Sequence, residues 1–205
     1  MKKALALIVI TICILSCKNE GKKEYSDEKT SETSKEEIST NNTPSTTAEL
    51  SNLDFAKEVE NFITCKKTAT ERNDCRNSIT KTITKAFDLT EFSDPKLGYV
   101  IYDSIRPIVE DSKKWLQLGS ISQESIDQAL AHTNRGGLSL IIDTAETYGH
   151  VVMIVPGDAK KSGSWDMKLP NVLSLSNYKP ESSFSNKSLS YAMRKSDDLK
   201  IYVRQ

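Results

Sequence analysis

Two side chains in this sequence have the types needed for covalent acyl-transfer chemistry: Cys75, in the stretch NDCRNSI, and His150, in TYGHVVMIVPG. The nucleophilic form of cysteine is the thiolate. The positive end of a helix brings the thiol pKa down toward neutrality and so favours it. An imidazole in hydrogen-bond reach completes an ion pair and can later give its proton to a leaving amine. Backbone N–H groups at the same helix start can hold an oxyanion. Asp74 works against a thiolate unless its side chain turns away. A competing arrangement is open as well. The chain holds four cysteines, and Cys65 lies ten positions before Cys75, close enough for a short disulfide loop. On residue types and spacing alone, nucleophile and structural cysteine stand level. His150 taken singly reads as a satisfied strand-end residue. The other histidine, His132, falls near the C-terminal end of a helix, where a cation suits the dipole, and reads as structural or exposed.

The elements that would position these residues follow from hydrophobic spacing. Phe55, Val59, Phe62 and Ile63 predict a helix over 53–64. Cys75, Ile79, Ile83 and Phe87 recur every four residues, so they share one stripe of a second helix. Asn73 and Asp74 stand before it as N-cap candidates, which puts Cys75 in the first turn. Residues 97–111 read as a helix kinked near Pro107, and Trp115, Leu116 and Leu118 as core. Ser122 caps QESIDQALAHTN, with Gly136 and Gly137 behind it as a stop. Short apolar runs follow: LSLIID (138–143), HVVMIV (150–155), LPNVLSLS (169–176), SLSYAM (188–193) and LKIYVR (199–204). Their short connections predict a largely antiparallel sheet. Helices first and strands after give an α+β class.

The N-terminus has its own logic. Met1-Lys2-Lys3 precedes the apolar core Ala4–Leu15, which is too short to span a bilayer and reads as a signal peptide, residues 1–16. The sequence Ile14-Leu15-Ser16-Cys17 resembles the bacterial lipobox. That resemblance implies cleavage before Cys17 and acylation of Cys17, palmitate included. Two or more acyl chains anchor firmly, at about 0.8 kcal/mol per buried CH₂. Lys18, where Asp would signal inner-membrane retention, favours the outer membrane. Residues 17–52 are Ser, Thr, Glu, Lys and Asn with almost nothing to bury and read as a disordered tether. Its r.m.s. span of roughly 30–35 Å would hold a folded domain, 53–205, off the lipid surface. The expected location is the bacterial cell envelope: lipid-anchored, at the outer membrane, facing the periplasm or at the cell surface. Such a compartment permits disulfides.

Other function classes find no support. Lys+Arg and Asp+Glu both number 28, and no basic run is present, so nucleic acid is not expected as a partner. No HExxH or Cys/His cluster at ligand spacing implies a metal, and no Gly-rich phosphate loop implies a nucleotide, so no cofactor is expected.

With those residues in view, the chain over roughly 70–205 resembles the papain-like cell-wall hydrolases of the NlpC/P60 and CHAP group. NDCRNSI matches their cysteine at a helix start. A W-x-x-L-G turn (Trp115 to Gly119), the helix ending TNRGG, the strand LSLIID and then GHVVMIVPG match the segment that carries their histidine. LPNVLSL and SLSYAM…LKIYVR match their C-terminal strands. The resemblance implies a papain-like fold, with Cys75 as nucleophile and His150 as general base and acid. It also implies an orienting residue on the following strand, where Ser174 aligns, Asn171 is the better hydrogen-bonding type and Ser176 lies nearby. Arg76 and Asn77 depart from the aromatic and valine residues common there. The implied activity is hydrolysis of amide bonds in peptidoglycan stem peptides by a monomer attached to the membrane through its lipid. With the resemblance added, Cys75 is expected as nucleophile. The competing expectations are a non-catalytic binding or interaction lipoprotein on a degenerate papain-like fold, and a small secreted structural domain stapled by Cys65–Cys75.

Overall fold

The computed structural model describes residues 53–71, 74–145 and 149–205. The signal peptide, Cys17 and the tether lie outside the described residues, as does Asn73. The domain begins with α1 (Phe55–Thr68), capped by Asp54, whose carboxylate accepts hydrogen bonds from the backbone N–H groups of Ala56 and Lys57 at 2.9 and 3.1 Å. α2 (Ser78–Phe87) buries Ile79 and Ile83, and the buried Cys75 continues that stripe upstream.

The segment expected as one kinked helix over 97–111 is instead three pieces. A small hairpin of β1 (Ser93–Asp94) and β2 (Gly98–Tyr99) comes first, then a 3-10 turn over 102–104, then α3 (Ile105–Asp111). Pro107 falls in the first turn of α3, where a backbone N–H has no intrahelical partner to lose, so it causes no kink. The expected turn at Trp115–Gly119 is a strand, β3 (Trp115–Ser120). Trp115 is buried there while Leu116 is 45% exposed, because consecutive strand residues face opposite sides. α4 (Gln123–Asn134) starts at Ser122 through a reciprocal capping box with Ser125.

Seven strands follow: β4 (Ser139–Asp143), β5 (Val151–Ile154), β6 (Lys160–Ser162), β7 (Met167–Leu169), β8 (Asn171–Ser174), β9 (Phe184–Ser188) and β10 (Leu199–Arg204). The run SLSYAM is not a strand. After β9 the chain turns through a 3-10 segment, Leu189–Tyr191. Leu189 and Met193, four apart, are the buried residues of that run while Tyr191 is 75% exposed, a helical rather than an alternating spacing.

One antiparallel sheet has the order β3-β10-β4-β5-β8-β9, and β6 and β7 form a separate hairpin. Leu140 and Ile142 of β4, Val151 and Met153 of β5, Leu173 of β8 and Tyr202 of β10 share a core with α1, α2 and α3. The alternate residues Ile141, Val152, Ile154, Val172, Ile201 and Val203 share a second core with α4, Trp165, Leu169 and Leu189. The sheet is therefore covered on both faces, which is why its central strands read as unbroken apolar runs. The fold is α+β, as the sequence predicts.

Candidate active site

Cys75 does not sit in the first turn of α2. It lies three residues upstream, in a turn over 74–77, with its backbone in the left-handed region at φ 65°. Local hydrogen bonds hold it on both sides. The Asp74 carboxylate accepts from the backbone N–H groups of Thr70 (3.0 Å) and Glu71 (3.1 Å), and the Asp74 carbonyl accepts from Lys66 Nζ at 2.9 Å. Downstream, the Arg76 carbonyl accepts from the Tyr102 N–H at 3.0 Å. The Arg76 guanidinium pairs with the Asp103 carboxylate and lies 4.9 Å from the Tyr102 ring centroid. Asp74 thus turns away from the sulfur. The Glu71 and Thr70 amides hold its carboxyl below the usual carboxylate range.

The sulfur of Cys75 is bonded to Cys65, with their Cα atoms 6.0 Å apart. Cys65 sits on the exposed side of α1, whereas Cys75 is 8% exposed. In this state the chain carries no thiolate at position 75.

His150 stands just before β5. Its carbonyl accepts from the Asp143 N–H at 2.9 Å, which pins the entry of β5 to β4. Gly149 makes that entry possible, because a Cβ there would overlap the Asp143 carbonyl oxygen. Ring atom Nε2 lies 2.8 Å from Ser174 Oγ. Ser174 is 2% exposed and stands opposite Val152 across the β5–β8 pair. When Nε2–H donates to that hydroxyl, Nδ1 is left as the bare, basic nitrogen. Burial pushes the His150 imidazole below its ordinary value, with the Asp143 carboxylate acting the other way. The ring is therefore neutral at pH 7.

Cys75 and His150 line one small cavity with Phe62, Arg76, Ile79 and Tyr102, of about 10 Å³, the lower limit for a single water. A second, open cavity of about 340 Å³ begins on the other side of His150. It is walled by Asp143, Ser174, Ser176, Ser182, Tyr178 and Tyr191, and is large enough for a small ligand. Tyr102, His150 and Asn177 belong to both cavities.

His150 thus stands between the other two: it shares the small cavity with Cys75 and the open one with Ser174, which do not line a common cavity. Of the other two orienting candidates, Ser176 walls the open cavity without bonding the imidazole, and Asn171 lines neither cavity. Asn171 donates to Asn186 Oδ1 at 2.8 Å, and Ser176 is engaged with Ser183 and Lys179 in the loop after β8. Asn177 escaped the sequence reading because nothing in a polar loop marks it. Its Oδ1 is buried without a hydrogen-bond partner at the junction of the two cavities. His132 is held against Gly137, and burial pushes its imidazole down, so it is a neutral packing residue rather than a cation at the helix end.

Among the described residues no group of three His, Cys, Asp or Glu side chains could hold a metal ion, and no helix is long and apolar enough to cross a membrane. Compared with protein-family models and with curated proteins, the chain matches none.

Proposed function

We propose that the chain is a lipid-anchored cysteine hydrolase of papain-like, NlpC/P60 or CHAP type, acting on amide bonds in peptidoglycan peptides. The observation that carries this reading is the His150 ring. It is held at Nε2 by Ser174 at 2.8 Å and borders the same small cavity as Cys75. In the reduced protein Nδ1 of His150 takes the proton of the Cys75 thiol, and the thiolate so formed attacks the scissile carbonyl carbon. His150, protonated at Nδ1, then gives that proton to the leaving amine. Water, deprotonated by the same nitrogen, hydrolyses the thioester and restores the thiol. The helices packed on an antiparallel sheet, with a histidine opening β5 and its partner on β8, support the papain-like assignment. The lipobox supports the envelope location.

The test is digestion of purified sacculi by the reduced full-length chain. Cys75→Ala is expected to lower the rate by at least about a thousandfold while the circular dichroism spectrum stays unchanged. Unchanged digestion by that variant removes the reading. One observation favours a second reading. The Cys65–Cys75 disulfide suits a binding lipoprotein that uses the 340 Å³ cleft without chemistry. That reading expects binding of muropeptides with no turnover in either redox state.

A further inference from the structure

We infer that the Cys65–Cys75 disulfide is a reducible site for a thiol partner, attacked at Cys65, whose opening releases Cys75 as the reactive thiolate beside His150. The inference rests on the Cys75–His150 reading above and adds to it the control of the nucleophile.

The two sulfurs are not equivalent. Cys65 lies on the exposed side of α1, while Cys75 is buried among Phe62, Ile79 and the base of α2. An incoming thiolate therefore has access to Cys65. The surroundings of Cys75 also favour it as the leaving group. Lys66 places its ammonium on the Asp74 carbonyl, one residue away, and Arg76 follows Cys75 directly. The two carboxylates nearby have their charge committed elsewhere. Asp74 faces the amides of residues 70 and 71, and Asp103 faces Arg76. The remaining titratable neighbours are Tyr102 and His150. A thiolate leaving near the Lys66 ammonium is stabilised, and the lower the pKa of the leaving thiol, the faster it departs.

The exchange balances in two steps. A thiolate of the partner attacks Cys65 Sγ; the bond between the two protein sulfurs breaks, and Cys75 leaves with the electron pair. A second thiolate then attacks the partner's sulfur in the mixed disulfide and frees Cys65. The partner dithiol is oxidised to its disulfide, and the protein gains two electrons, with protons taken up according to pH.

The first measurement uses the oxidised full-length chain in detergent, treated with reduced glutathione at pH 7, acid-quenched and mapped by peptide mass spectrometry. Glutathione is expected on Cys65 at least about tenfold more often than on Cys75. Glutathione chiefly on Cys75, or a bond that resists until the chain unfolds, overturns the inference. The second measurement alkylates Cys75 with iodoacetamide, both in dithiothreitol-reduced wild type and in Cys65→Ser, so that a folding defect in the variant does not decide it. The rate at pH 7 is expected to exceed that of free cysteine about tenfold, with a midpoint below about 8.5, and to drop in His150→Ala. Ordinary thiol behaviour in both samples overturns the inference. A third measurement compares sacculi digestion by the oxidised and the reduced chain. Digestion only after reduction supports both proposals, and equal digestion by the oxidised chain overturns this one. Reactive Cys75 with no digestion in either state removes the hydrolase reading and leaves the thiol-exchange site standing.

Discussion

The imidazole of His150 shows how much one residue depends on its neighbours. Ser174 supplies a hydroxyl 2.8 Å from Nε2 and fixes the ring plane, while burial keeps the ring neutral. Serine is a weak orienter because its hydroxyl is neutral and free to rotate. Under the proposed hydrolase reading, Ser174→Ala is expected to reduce kcat on sacculi roughly tenfold with little change in KM. It should also cost about 1 kcal/mol of stability by urea denaturation, since Nε2 is left without a partner. The histidines also set a pH dependence. The folded pKa of His150, and that of His132, lies below the ordinary 6.5. Above that value both the folded and the unfolded chain hold neutral rings, and stability is unaffected. As pH falls through 6.5 the unfolded chain takes up protons that the folded chain refuses, so stability drops. Thermal unfolding followed from pH 8 to pH 5 is expected to show Tm falling below about pH 6.5, with a shallower fall in His150→Gln.

At the scale of elements, the disulfide ties the exposed side of α1 to the turn that enters α2. Closing a loop of about ten residues constrains the unfolded chain by roughly 2–3 kcal/mol in the chain-entropy account. Reduction of the wild type should lower its unfolding free energy by about that amount in urea, with little change in m, and Cys65→Ser should reproduce the loss. The existence of α1, α2, α4, β4, β5, β8 and β10 was legible in the sequence, because each carries an apolar run or stripe that a core must absorb. The onset of α2 was not. Four-residue spacing marks which side chains share a face, but the left-handed backbone of Cys75 comes from ties to Lys66, Thr70 and Tyr102, and no local pattern announces them. The hairpin of β6 and β7 stayed hidden because KKS and MKL are too short and too polar to show alternation. The pairing of His150 with Ser174 is as the resemblance implied, whereas Cys75, expected as a nucleophile, is tied to Cys65, the arrangement that spacing had left level with it. Asn177 was not legible, because its significance is a buried, unpartnered oxygen seen only in three dimensions.

Across the whole molecule, the sheet divides two cores, and distant segments meet on it. Tyr202 of β10 is 2% exposed in the core under α1, α2 and α3, and its hydroxyl donates to Glu110 Oε1 of α3 at 3.0 Å. Burial first, and then the hydrogen bond to that carboxylate, push the Tyr202 phenol up to about 12. Ultraviolet titration is expected to show a late tyrosine ionisation, and Tyr202→Phe should remove its latest step. The pairing of β10 with both β3 and β4 has a further consequence. Residues 115–120 and 139–143 have no bridge between them until 199–204 arrive, some eighty positions after the first of them. Closing the sheet therefore waits on a late, non-local docking event, the kind that makes folding slow. A chain in which Leu199–Arg204 has not yet docked exposes two bare strand edges to proteases and to neighbouring chains.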